Sequence, residues 1–195
     1  MNYKIIRQHR KTIRISILNN EIIAAVPKYA DSAVIENAVE SFKKKYSEAI
    51  INIENLKSMN YLYIYGEKIS IENLPVSKIN NNSIKKLFES NYKKDIIDRI
   101  NQLAEKLQVN YKNLTFRKFK ARWGSLDSKG HLKFNIYIFM LKSELIDYLI
   151  IHELSHIKYF NHSKDFWHYV SLTLPNYKAL RKELKANNYL ISSFF

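Results

Sequence analysis

The sequence predicts one α+β domain with a β-rich N-terminal part, and three observations lead there. Short segments of alternating hydrophobicity, over 3–27 and 61–71, mark the first 80 residues. Longer helical periodicities dominate the rest, in mixed order with further strand-like segments. The 195 residues are enough for one sizeable core and few for two. The expected organisation is a single domain over 1–195, with 1–80 as the β-rich part and 83–195 as the part that carries the chemistry.

Each element has its own reason. In KTIRISI, Ile13, Ile15 and Ile17 alternate with Thr12, Arg14 and Ser16, the period of a half-buried strand. Asn19-Asn20 then suits a hairpin turn into EIIAAV, which Pro27 closes. Asp31 or Ser32 can cap a helix to about Ile51, with Val34, Ala38, Phe42 and Tyr46 on one face. YLYIYGEKISI (61–71) reads as a second hairpin about Gly66, with Tyr61, Tyr63 and Tyr65 on one strand face. Such tyrosines can stack bases, but packing is their commoner use. A helical pattern from about Ser83 to Leu107 carries Leu87, Ile96, Ile100, Leu103 and Leu107.

Two strand-like segments follow, LTFRKFK (114–120) and HLKFNIYIFM (131–140). Gly124, Asp127, Ser128 and Gly130 make their connection a loop. Ser143 can cap a helix to about Tyr159, with Glu144 in its first turn where a negative charge suits the helix dipole. Ser163 caps the next helix, and a last amphipathic helix spans roughly Asn176 to Ala186.

Composition narrows the classes. A hydrophobic share of 46% argues against wholesale disorder, and no apolar run is long enough to cross a bilayer. The N-terminus lacks a secretory h-region, so a soluble, cytoplasmic protein is expected. There is no cysteine, which excludes disulfides, thiolate ligands and a cysteine nucleophile. Any metal must be held by nitrogen and oxygen. The net charge of +14 would draw the chain toward polyanions, so weak nucleic-acid association is one expectation. Yet only seven of the 32 basic residues are arginines and the lysines are scattered, as on an ordinary solvated surface.

The chemistry concentrates in LIIHELSHIKYFNHSKDFW (149–167). His152 and His156 lie four apart on an expected helix, so their rings share a face and can bind one ion. Glu153 between them completes His-Glu-x-x-His: two ligands, and a base for the water that a zinc ion would activate. A catalytic zinc takes three protein ligands, and His162 is the natural third. It sits just past the helix end, where Asn161 can reverse the chain and Ser163 starts a new helix. Unpaired, two histidines and a glutamate would be costly to desolvate in so apolar a helix; a cation removes that cost. His168 reads as a supporting or structural residue, and His9 and His131 as lone side chains.

This block, with its Asn-His-Ser triplet and Phe-Trp pair, resembles the YgjP-like metallopeptidase family, distantly related to SprT-like zinc proteases. FKARWGSLDSKGHLKFN (119–135), RQHRKTIRISI and AVPKYAD fit as well. The resemblance implies a zincin-type core, a small mixed sheet packed on an active-site helix, and peptide-bond hydrolysis. It implies zinc on His152, His156 and His162, with Glu153 as catalytic acid/base. Leu126 stands where that family usually has a cysteine, outside the expected ligand set.

The expected partner is a peptide or protein substrate, with no membrane. The strand over 131–140 is either an exposed edge that an extended peptide could join or an internal strand. Tyr159, His168 and Arg122 are candidate oxyanion stabilisers, Arg122 reading more as a structural contact of the Trp123 loop. The rival readings are a nucleic-acid-associated protein, with a structural zinc or as a protease of DNA-bound proteins, and an inactive scaffold that keeps its metal.

Overall fold

In the computed structural model, which describes residues 3–18, 21–45, 47 and 61–192, the alternating N-terminal segments pair into a three-stranded sheet. β1 (Tyr3–Gln8) runs parallel to the central β3 (Glu21–Pro27), and β2 (Arg14–Leu18) runs antiparallel on its other side. The β2–β3 pair is the expected hairpin, although its Asn19-Asn20 turn lies outside the described residues. Asp31 caps α1 (Ser32–Lys45), accepting a hydrogen bond from the Ala33 N–H at 2.8 Å. The buried face of α1 is not the expected one. Ile35 and Val39 are fully buried against Ala24 and Val26, while Val34 is 55% exposed. A helix can carry two overlapping apolar rows, and the position of the sheet decides which is used. Tyr46 and most of the helix expected beyond Lys45 fall outside the described residues.

β4 (Tyr61–Ile64) and β5 (Glu67–Ser70) form the second hairpin. Its two turn residues, Tyr65 and Gly66, both have positive φ, 51° and 83°, as a turn matching the twist of the strands requires. Tyr61, Tyr63 and Tyr65 are partly buried against the main core, so packing is what they do. The long helical pattern is three pieces: α2 (Asn81–Leu87), a π-helical turn over Phe88–Tyr92, and α3 (Lys93–Lys106). Ser83 is not the first residue but the capping-box partner of Asn80.

The third sheet has the order β6-β8-β7. β6 (Asn113–Arg117) is parallel to the central β8 (His131–Asn135), and β7 (Gly124–Leu126) is antiparallel to it. Two expectations are corrected here. The Gly-, Asp- and Ser-rich connection contains β7, and the strand expected over 131–140 ends at Asn135, giving way to a 3-10 turn over Ile136–Met140. β8 is therefore internal, and the edge strands of this sheet are β6 and β7. The physical reason is that Leu132 and Phe134 are fully buried, so both flanks of β8 must find partners within the protein.

The sheet meets α4 (Ser143–Ser155), which is followed by α5 (Lys164–Thr173), α6 (Tyr177–Ala186) and the short α7 (Asn188–Ser192). α4 starts one residue after Lys142, and Ser143 makes no side-chain cap. The Asp147 carboxylate instead accepts two bonds from Arg99 of α3, whose Nη2 also reaches the Ser143 carbonyl at 3.0 Å. α4 is also shorter than expected; after Ser155 the chain continues as turns to Tyr159.

Asn135 closes β8 and holds the loop ahead of β7. Fully buried, it donates to the carbonyls of Phe119 and Arg122, each at 3.0 Å, and accepts from the Tyr137 N–H. Asn135→Ala removes those donors at once and leaves carbonyls without partners. Chemical denaturation should show a loss of about 2–4 kcal/mol, the range for two or three such bonds.

Candidate metal centre

Helix α4 is apolar on almost every side, which is the pattern of a helix buried on all faces. Leu145, Ile146, Leu149, Ile150, Ile151 and Leu154 are each 3% exposed or less. Its polar exceptions are therefore informative. The Ser155 hydroxyl satisfies itself on the Ile151 carbonyl at 2.6 Å. Glu153 is 7% exposed, and His152 and His156 are half-buried beside it.

The i, i+4 spacing puts the His152 and His156 rings 5.1 Å apart between centroids. The turns after Ser155 bring His162 back onto them. Its ring lies 4.9 Å from that of His152 and 4.8 Å from that of His156. One nitrogen from each of the three falls within 4.8 Å of the others, and the Nε2 atoms of His152 and His162 are 3.0 Å apart. The fully buried Phe166 of α5 packs on all three rings, with centroid distances of 5.1, 4.6 and 4.8 Å. Ser163 sets that contact by capping α5, accepting from the Phe166 N–H.

The donor set fits a cation. His156 Nδ1–H donates to the Tyr159 carbonyl at 3.0 Å, which leaves its Nε2 lone pair free for a ligand role. The His152 Nδ1 is buried without a hydrogen-bond partner. Burial, then the charges of His156 and His162, pull the His152 pKa from 6.5 to about 3, so the ring is neutral at physiological pH. His162 is lowered too, chiefly by desolvation. Three converging imidazoles, with the Nε2 atoms of His152 and His162 in contact, form a nitrogen donor set that suits a borderline-soft divalent ion.

Glu153 faces the same cleft from behind β7. Burial pushes its carboxyl up to about 8 from 4.5, against the opposing pull of the Leu126 N–H that donates to it and the charge of Arg122. Leu126 thus acts through its backbone. Gly124 makes the approach possible: a Cβ there would stand 2.9 Å from Glu153 Cγ and 3.0 Å from both its Oε1 and Phe134 Cδ1.

The three histidines and Glu153 foreseen in the sequence are therefore brought together, and other candidates are not. His168 is exposed on α5, outside the cleft, and offers its carbonyl to the Ser171 hydroxyl. Tyr159 turns its ring to Tyr169 and serves the site through its carbonyl. His131 lies beside Asp127, 3.3 Å away. Arg122 does line the cleft, a space of about 300 Å³ that also meets Tyr148, His152, Glu153, His162, Trp167 and Arg181. Tyr148, Trp167 and Arg181 were missed. Tyr148 stands one helical turn before His152, a spacing that could have flagged it. Arg181 reaches the site only through the packing of α6.

With the geometry in place, the comparisons are specific. A family model described as YgjP-like, metallopeptidase domain, matches residues 72–187, which include every residue of the cleft; the N-terminal segments that shared the resemblance lie outside it. Two solved structures resemble part of the chain. The metallopeptidase zymogen of Pyrococcus abyssi abylysin is 22% identical, with 46% of this chain and 90% of that chain covered and a TM-score of 0.42. That of Methanocaldococcus jannaschii jannalysin is 30% identical, with 49% and 97% covered and a TM-score of 0.43. No curated protein matches the chain.

Two outcomes follow for the purified protein. One equivalent of a divalent ion should raise its melting temperature, and His152→Ala or His156→Ala should abolish the rise, because an ion that binds only the folded state stabilises it. Metal-free protein should be most stable between pH 4.5 and 6.5. Below 4.5 the depressed His152 makes the unfolded chain bind protons first; above 6.5 the raised Glu153 makes it release them first. From these two groups alone, each flank, toward pH 3 and toward pH 8, should cost about 2 kcal/mol in denaturation midpoints converted to free energy.

Proposed function

The chain belongs to the YgjP-like metallopeptidase family, and from that premise we propose that it is a zinc-dependent peptidase in which Glu153 is the general base. The observation that carries the reading is the placement of a buried carboxyl in the same cleft as His152 and His162, two of three converging imidazoles. Zinc on His152, His156 and His162 would supply a Lewis acid for the scissile carbonyl and lower the pKa of water.

The rest is the work of the chain's own groups. The Leu126 N–H and the Gly124 gap hold Glu153 in one place, so its carboxylate can take a proton from water and return it to the departing amine. Burial raises its pKa and a nearby dication lowers it, which supports proton exchange near neutral pH. Tyr148 is a better oxyanion donor than the candidates first considered. Burial pushes its phenol up to about 12, so it remains an O–H donor, and it lines the cleft.

The free edge of β7 supports an extended substrate. Trp123 and Asp127 bond to β8 through the Trp123 carbonyl and the Asp127 N–H. By alternation the main-chain groups of Gly124 and Leu126 face outward, and the Leu126 N–H is taken by Glu153. The remainder could pair with a peptide laid along the cleft.

Glu153→Gln should retain zinc while kcat for a generic peptide substrate falls by about 10²–10⁴, the usual contribution of a positioned general base. Metal analysis beside a cleavage assay checks both halves. Unchanged hydrolysis in that variant would remove the mechanism.

A further inference from the structure

The charge in the cleft does not balance. Its lining holds two arginines, Arg122 and Arg181, against one acidic residue, Glu153. Arg122 shares its charge with Glu153 and lies 5.6 Å over the Phe119 ring. Arg181 has no such counter-charge. Among the described residues it makes no ion pair, and its neighbour Glu183 is engaged with Lys142 at 2.8 Å.

Arg181 is nevertheless held in place. Its guanidinium stacks 4.6 Å from the centre of the Trp167 ring. Trp167 is itself stacked on Tyr177 at 5.2 Å and on His162 at 5.4 Å. The flat face of the guanidinium is thus used, while the N–H groups on its edge stay available as a fork for a planar anion. Its charge is felt by His152, His162 and Tyr148, which marks it as a neighbour of the reacting centre. From the Trp167 stack, Arg181 lies within about 10 Å of the imidazoles, the reach of two or three extended residues at ~3.3 Å each.

We propose that Arg181 is a specificity residue that binds a carboxylate of the substrate, favouring peptides with an acidic group within about three residues of the cleaved bond. The identity of the carrier as a peptide rests on the peptidase reading; the carboxylate seat itself does not. The carboxylate has two sources, an Asp or Glu side chain and a free C-terminus. Bound metal adds positive charge to the cleft and strengthens the demand for an anion.

The test is binding by fluorescence anisotropy to zinc-loaded Glu153→Gln protein at about 0.15 M salt, where long-range attraction to the basic surface is screened. Labelled peptides come in two matched pairs: internal Glu against Gln, and free C-terminus against carboxamide. One pair should favour its acidic member at least tenfold, and which pair does so names the source. Arg181→Gln should bring that ratio to about one, and Arg181→Glu should push it below one. Lys85→Ala, which loses the same charge from an exposed side chain of α2 outside the cleft lining, should keep it. Metal content and melting temperature of each variant report its folding. Equal affinities in both pairs, or a ratio that survives Arg181→Gln, would overturn the proposal. Cleavage by the wild-type chain is scored separately. Hydrolysis without discrimination sinks the carboxylate seat alone, whereas discrimination without hydrolysis of any peptide sinks the peptidase reading and leaves the seat standing.

Discussion

The cost of burying ionisable groups in an apolar helix governs this molecule. Helix α4 places Glu153 and His152 where water reaches them poorly, and both give up their ordinary protonation behaviour as a result. An isolated charge there would be expelled or neutralised. Three imidazoles converging beside a buried carboxyl form a cluster that could hold a cation. The surroundings hold the cluster in place: Phe166 packs on the imidazoles from one side, and the Tyr159 carbonyl orients His156.

The remainder of the C-terminal part is support for this arrangement. β8 pairs on both flanks so that Leu132 and Phe134 can be buried, and this pushes β7 to the rim. β7 then delivers the Gly124 gap and the Leu126 N–H to Glu153. Asn135 ties the loop before β7 to the end of β8, and Arg99 anchors the start of α4 to α3. The N-terminal sheet keeps a small core of its own with α1.

Much of this could be read from the chain. The hairpin about Gly66 and the alternation in β2 and β3 were visible because local periodicity and turn chemistry are short-range properties. His152, Glu153 and His156 were visible for the same reason, since a helix fixes their mutual geometry within four residues. β7 was hidden because three residues give no period to detect and Gly124, Asp127 and Gly130 are turn formers. The end of β8 was hidden because IYIFM is equally apolar whether extended or wound into a 3-10 turn. The buried row of α1 was misjudged because Ile35/Val39 and Val34/Ala38 are equivalent until a sheet is laid against one of them.

By itself, then, the amino-acid order determined the α+β class and the grouping of three histidines that could hold a metal ion, with a glutamate between two of them. Those follow from spacing along one helix and from the cost of leaving such groups unpaired. Only the tertiary structure decided what shares the cleft with them. Gly124, Tyr148, Trp167 and Arg181 meet there from one strand and three helices, and contacts between elements far apart in the chain depend on packing angles that no local pattern encodes.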